Sequence, residues 1–110
     1  MQIGLNMIQL QIDPIPNQSF TVRLDNQRYD ITLKETRGVM SANIARNDVE
    51  LLTGARVVAG TPLLPYRYQE EGNFFLLTDA GDLPDYTKFG ITQSLVYLTI
   101  EEVEAQRAGN

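Results

Sequence analysis

The stretch SFTVRLDNQRYDITL, residues 19–33, decides the fold, because apolar residues recur at every second position on both sides of Asp25-Asn26-Gln27. The central residue types are frequent in tight turns. The stretch therefore predicts a β-hairpin with one apolar face and one polar face. The apolar face is expected to carry Phe20, Val22, Leu24, Tyr29, Ile31 and Leu33. We expect Arg23, Arg28 and Asp30 to face water or a neighbouring chain.

Further strands follow from the same reasoning. Residues 7–12 alternate and stop at Asp13-Pro14-Ile15-Pro16, since proline does not donate to a sheet. Residues 39–45 and 49–52 flank Arg46-Asn47-Asp48, which predicts a second hairpin. Additional strands are predicted at residues 56–59, 73–78 and 94–100. Residues 101–107 favour a short helix capped by Thr99, or a frayed end.

Turn signals about every ten residues, with no long helical pattern between them, predict a compact all-β barrel or sandwich. The length of 110 residues suits a single domain spanning residues 1–110. Residues 1–6 and 103–110 are expected to be extensions that can be disordered.

The composition removes most catalytic chemistry. The chain contains no His, no Cys and no Trp, so it cannot form a Ser-His-Asp or Cys-His nucleophile or the usual zinc site. Glu70 and Glu71 are neighbours and would point to opposite faces of a strand. Asp79, Asp82 and Asp85 do not follow the spacing of an EF-hand loop and are interpreted as turn residues. We therefore expect no catalytic, cofactor-binding or metal-binding residues.

Charge argues against nucleic acid as a partner. The sequence has nine Lys and Arg residues and fourteen Asp and Glu residues, which gives a net charge of −5. Residues 1–12 contain no Lys or Arg and do not read as a secretory signal. No stretch is long and apolar enough to span a bilayer. We expect synthesis in the cytosol and no membrane partner.

Two segments are candidate interfaces. In the first, two prolines three residues apart interrupt sheet bonding beside residue types favoured at interface centres. Its members are Pro62, Leu63, Leu64, Pro65, Tyr66, Arg67 and Tyr68. The other interpretation, an edge strand that packs Tyr66 and Tyr68 on the core, stays open. The second segment contributes Pro84, Asp85, Tyr86 and Phe89.

Three collinear stretches carry a family resemblance: residues 15–20 (IPNQSF), residues 62–68 (PLLPYRY), and LPDY at 83–86 followed by FGIT at 89–92. They resemble the small baseplate plug proteins of contractile-tailed bacteriophages, a family first described in a cyanophage. The resemblance spans residues 7–102, which leaves residues 1–6 and the C-terminal tail outside it.

The resemblance implies a structural virion protein without enzymatic activity, made and assembled in the cytoplasm of the host bacterium. It would sit in the tail baseplate between the end of the tail tube and the hub. Its expected partners are the baseplate hub, the tail tube or tube initiator, and the tape-measure protein. We also expect a homo-oligomeric ring. The resemblance assigns no functional residues.

A different class of function is a carbohydrate- or ligand-binding β module. In that interpretation Tyr66, Tyr68, Tyr86 and Phe89 form a stacking platform for a sugar. The absence of Trp argues against it. An oligonucleotide-binding barrel is disfavoured by the negative charge and by the lack of a basic stripe.

Overall fold

A computed structural model describes residues 7–65 and 72–108, the last four without their side chains. Within these residues, seven strands form two antiparallel sheets. In chain order the strands are β1 (Ile8–Leu10), β2 (Gln18–Leu24), β3 (Gln27–Thr36), β4 (Val39–Arg46), β5 (Val49–Arg56), β6 (Asn73–Leu77) and β7 (Ser94–Leu98). One sheet has the order β2-β3-β4-β5 and the other β1-β7-β6. The all-β prediction is confirmed in its sandwich form, because two separate sheets do not make a closed barrel.

The four-stranded sheet is a meander with two-residue turns. Asp25 and Asn26 both have positive φ, 51° and 63°, as do Asn47 and Asp48, 51° and 69°. This left-handed backbone matches the twist of the flanking strands, which explains why these residue types stand there. Both predicted hairpins are confirmed. The turn at residues 37–38, which joins β3 to β4, was not predicted.

Strand β5 differs from the prediction. It runs unbroken from Val49 to Arg56, so the separate strand predicted at residues 56–59 is wrong. Its register against β4 shifts twice, and Gly54 adopts a φ of +60°. Each shift moves the following side chains to the other face of the sheet. Apolar and polar residues therefore do not alternate regularly along β5, and the sequence does not show its full length.

The N-terminal and C-terminal strands are neighbours in the smaller sheet. Strand β1 is shorter than predicted, and it pairs with β7 in a register that places Ile8 opposite Tyr97. Strand β7 ends at Leu98, two residues before the predicted end. Thr99 starts a helix instead: its N–H donates to the Glu102 carboxylate at 2.9 Å, and its hydroxyl accepts from the Glu102 N–H at 3.3 Å. Helix α1 spans Ile100–Ala108, as the helical interpretation of this segment predicted.

The core lies between the sheets around three aromatic rings. Tyr29 of the larger sheet meets Phe74 of the smaller sheet edge to face, with 5.1 Å between ring centroids. Tyr97 packs at the same distance from Phe74. Gly72 lies so close to β7 that a Cβ on this residue would be 2.2 Å from the carbonyl oxygen of Leu98. The predicted apolar face of the first hairpin is confirmed, since its six side chains are buried in this core or packed against it.

Candidate assembly surface

The first predicted segment is described as far as residue 65, and Tyr66, Arg67 and Tyr68 lie outside the described residues, as do Glu70 and Glu71. Leu64 is buried at 3% exposure, so its side chain belongs to the core. Leu63 and Pro65 are half-buried, and Pro62 is exposed. Within the described part, Pro62 is therefore the member that faces solvent most fully.

This segment runs along the outer edge of β6. The N–H of Leu63 donates to the carbonyl of Phe74 at 2.9 Å. The side chain of Asn73, itself buried, accepts from the Leu64 N–H at 2.8 Å and donates to the Leu64 carbonyl at 3.2 Å. These bonds satisfy polar groups that an open sheet edge would leave unpaired.

The second predicted segment surrounds a 3-10 helix, Tyr86–Lys88. Asp85 caps it: the carboxylate accepts from the Thr87 N–H at 3.0 Å and from the Thr87 hydroxyl at 2.7 Å. These hydrogen bonds favour the ionised form and hold the pKa of Asp85 below its usual value. Lys88 donates to the Asp82 carboxylate at 3.1 Å, which raises the pKa of Lys88. The loop before the helix is thus tied to the helix itself.

A fully buried glutamine supports the same loop from inside. The Gln93 amide donates to the Leu83 carbonyl at 2.8 Å and accepts from the Asp85 N–H at 2.9 Å. Gln93 therefore fixes both ends of Leu83-Pro84-Asp85. Sequence reasoning missed it, because Thr92-Gln93-Ser94 has the composition of an exposed stretch.

The aromatic members of this segment point inward. Phe89 is 1% exposed and lies in the core, while Tyr86 is half-buried and packs against the core. Phe89 therefore presents no face on which a sugar could stack. The large apolar side chains that this region exposes are Leu83, at 76%, and Ile91, at 72%.

Leu83 belongs to an apolar groove of about 680 Å³ between residues 56–60 and 77–84. We call it the Leu83 groove and define it by Val58, Leu77, Ala80, Leu83 and Pro84. It adjoins the end of β6 along which residues 60–64 run, so Pro84 of the second predicted segment and Gly60, two residues before the first, line the same groove. Val58 and Leu77 were not singled out in the sequence, because each follows other apolar residues, and such a run does not show which side chain the fold leaves exposed.

The acidic residues of this region form no metal centre within the part of the chain that the structure describes. The Asp82 N–H closes a turn on the Asp79 carbonyl at 2.9 Å, and Asp85 caps the 3-10 helix, in agreement with their interpretation as turn residues. Helix α1 falls well short of the length required to cross a bilayer, and no other helix among residues 7–65 and 72–108 qualifies.

Comparison with known proteins gives one finding. Residues 7–101 match the family model described as cyanophage baseplate Pam3 plug gp18. No curated protein matches the chain. The match covers both candidate segments and both sheets, and it agrees with the resemblance seen in the sequence. The chain therefore belongs to the cyanophage baseplate plug family and is a structural component of the virion tail baseplate, assembled in the infected host.

Proposed function

We propose that this plug acts without catalysis and contacts its neighbours in the baseplate through the Leu83 groove. The observation that carries the proposal is the family match over residues 7–101, which makes the chain a baseplate protein that interacts with other tail proteins. The lack of His and Cys in the sequence supports a non-catalytic role. The tail is proposed to be contractile.

The proposed partners are the baseplate hub, the tail tube or tube initiator, and the tape-measure protein, with several copies of the plug arranged in a ring. An assembly protein of this kind needs at least one surface that loses water on binding. Leu83, Val58 and Leu77 offer such a surface, because each is a large or branched apolar side chain with 39% or more of its area exposed.

The groove is also held in place before any partner arrives. Gln93 and the Asp85 cap fix the backbone on which Leu83 and Pro84 lie. A surface that is already ordered loses less conformational entropy on binding, so more of the contact energy appears as affinity. Tyr66, Arg67 and Tyr68 stay candidates on sequence grounds, as residue types that often anchor interfaces.

Leu83→Glu tests this surface in phage whose own plug gene has been removed and replaced. We expect an unchanged thermal unfolding midpoint, because Leu83 is largely exposed, and a loss of plug from purified tails. Losing an anchor of about 2 kcal/mol corresponds to roughly thirtyfold weaker binding. The measurement is the number of plug copies per particle by quantitative mass spectrometry.

Val49→Glu is the matched control, since Val49 is also an exposed apolar residue, at 61%, but lies at the turn between β4 and β5, at the opposite end of β5 from the groove. We expect its incorporation to equal that of the wild type. Wild-type incorporation of Leu83→Glu would remove the groove from the interface. A separate variant with Tyr66→Ala and Arg67→Ala tests the remaining candidates in the same way.

A further inference from the structure

The edges of the two sheets are not equally open. Strand β5 carries two register shifts, and the outer edge of β6 is bonded to residues 60–64. Strand β1 has three residues. Strand β2, by contrast, pairs with β3 over seven consecutive residues without a shift and contains no proline. Bulges and covered edges prevent strand addition, so among residues 7–65 and 72–108 β2 is the long, regular edge that stays open.

The two-residue turn between β2 and β3 determines which backbone groups of β2 bond to β3 and which stay free. In a hairpin with a two-residue turn, the pair next to the turn exchanges both backbone bonds, and bonded pairs then alternate. Here that pair is Leu24 and Gln27, so Val22, Phe20 and Gln18 also bond to β3. The remaining residues direct their N–H and C=O groups away from the sheet. They are Ser19, Thr21 and Arg23.

An independent bond confirms this alternation. The Asn47 N–H donates to the carbonyl of Arg28 at 2.8 Å, which places the even-numbered residues of β3 on the side of β4. Its odd-numbered residues therefore bond to β2.

We propose that β2 pairs antiparallel with β2 of a second copy of this chain, about a two-fold axis through Thr21. In this register Thr21 lies opposite Thr21 of the second copy, and Ser19 lies opposite Arg23. Outward-directed groups then meet outward-directed groups at three positions, which makes six backbone hydrogen bonds. The two four-stranded sheets join into one sheet of eight strands.

The side chains of β2 complement one another in the same register. On the solvent face Arg23 lies opposite Ser19, so no like charges face each other across the axis. On the inner face Phe20 lies opposite Val22. Both are half-buried and pack against the core of their own chain, and pairing would extend that apolar surface across the axis. A second copy thus supplies hydrogen-bond partners for the outward backbone groups of β2 and covers its half-buried apolar side chains.

This pairing deepens the assembly role proposed above by naming one contact between copies, and it rests on that role only for its use in the virion. An isologous contact joins copies two by two about a two-fold axis, so this pairing links two plugs, and the proposed ring needs a second, heterologous contact to close. Because the pairing is measured on the purified chain, its failure would leave the proposed place of the plug in the baseplate untouched.

Thr21→Pro is the first test. Proline removes the outward N–H without touching a bond between β2 and β3, and proline is tolerated where the missing N–H faces solvent. Two of the six bonds are lost in the pair, so we expect at least about thirtyfold weaker dimerisation by sedimentation equilibrium. The wild type should form a measurable fraction of dimer at a concentration of about 100 µM or lower.

Glu50→Pro is the matched control on the other edge of the same sheet. Glu50 lies opposite Ala45 in a pair that exchanges no backbone hydrogen bonds. The Glu50 N–H therefore also points outward, away from β4. Each substitution also removes one exposed side-chain hydrogen bond, Thr21 to Asp30 or Thr53 to Glu50. Dimerisation of Glu50→Pro should equal that of the wild type.

Charge provides a second test that keeps the fold intact. Because Thr21 faces itself, Thr21→Lys and Thr21→Glu each place like charges opposite one another, and each should weaken its own dimer about fivefold. An equimolar mixture of the two should form mixed dimers at least as tightly as the wild type. A monomeric wild type, or dimers that neither charge nor proline at residue 21 affects, would overturn the proposal.

Discussion

At the scale of single residues, two buried tyrosines in contact have different roles. The Tyr97 hydroxyl donates to the Asp25 carboxylate at 2.8 Å and accepts from the Gly72 N–H at 3.2 Å. It thereby joins the turn between β2 and β3 to the chain entering β6. Burial, and then the bond to Asp25, raises the pKa of Tyr97. The nearby Tyr29 hydroxyl also raises the pKa of Tyr97, but it makes no contact of hydrogen-bond geometry within the described residues.

Tyr97→Phe is expected to lower the free energy of unfolding by about 1 to 3 kcal/mol, because it leaves the buried Gly72 N–H and the Asp25 carboxylate without their partner. Tyr29→Phe is the matched control and should change stability by less than about 0.5 kcal/mol, since its hydroxyl has no bond to lose. Urea denaturation measures both. Equal losses in the two variants would contradict this account of how the sheets are joined.

The cap at Asp85 has a pH dependence with a definite sign. Its pKa is lowered from 3.8 in the folded chain, so the stabilisation is complete above that value and is lost as the pH falls through the lowered pKa. An NMR titration of the Thr87 amide, which donates to Asp85, should therefore show a transition below pH 3.8. Asp85→Asn should abolish that transition. A midpoint above 3.8 in the wild type would contradict the cap as the cause.

At the scale of elements, one internal side chain supports the loop of residues 78–93 from within the core. The buried Gln93 amide bonds to Leu83 and Asp85, and its backbone N–H donates to the Lys88 carbonyl at 3.0 Å. Loops of this length usually lack a regular ladder, so side chains must satisfy their polar groups. The position of Leu83 in the groove therefore depends on Gln93.

Gln93→Ala should reduce stability by about 1 to 3 kcal/mol, because two backbone groups lose their buried partner. Faster hydrogen exchange at the Asp85 amide should accompany that loss, since this amide donates to Gln93. Gln11→Ala is the control, because Gln11 is exposed. Unchanged exchange at Asp85 in Gln93→Ala would show that the loop has another support.

The elements also show what the sequence could reveal. Regular alternation and Asn or Asp at the turns predicted both hairpins, because side-chain period and turn backbone are local properties. The shifts in β5 erase that period, so its full length was not visible. The partners of Gln93 and the exposure of Val58 and Leu77 arise only when distant segments meet. The core positions of Leu64 and Phe89 arise in the same way.

At the scale of the whole molecule, each sheet is built in a different way. The larger sheet joins strands that follow one another in the chain, across turns of two residues. The smaller sheet joins β1, near the start of the chain, to β7, near its end. The match to the plug family begins at residue 7 and ends at residue 101, so it encloses both partners of that pairing.

Because β1 pairs with β7, the smaller sheet can form only late in synthesis of the chain on the ribosome. Strands β2 to β5 need only local contacts and can pair as soon as they emerge, whereas contacts over 72 residues, such as that of Tyr97 with Asp25, form slowly and late. Gln93 and β7 leave the ribosome among the last described residues, and the Leu83 groove is incomplete without Gln93. We therefore expect a nascent plug to stay unable to join a growing tail until Gln93 and β7 have left the ribosome.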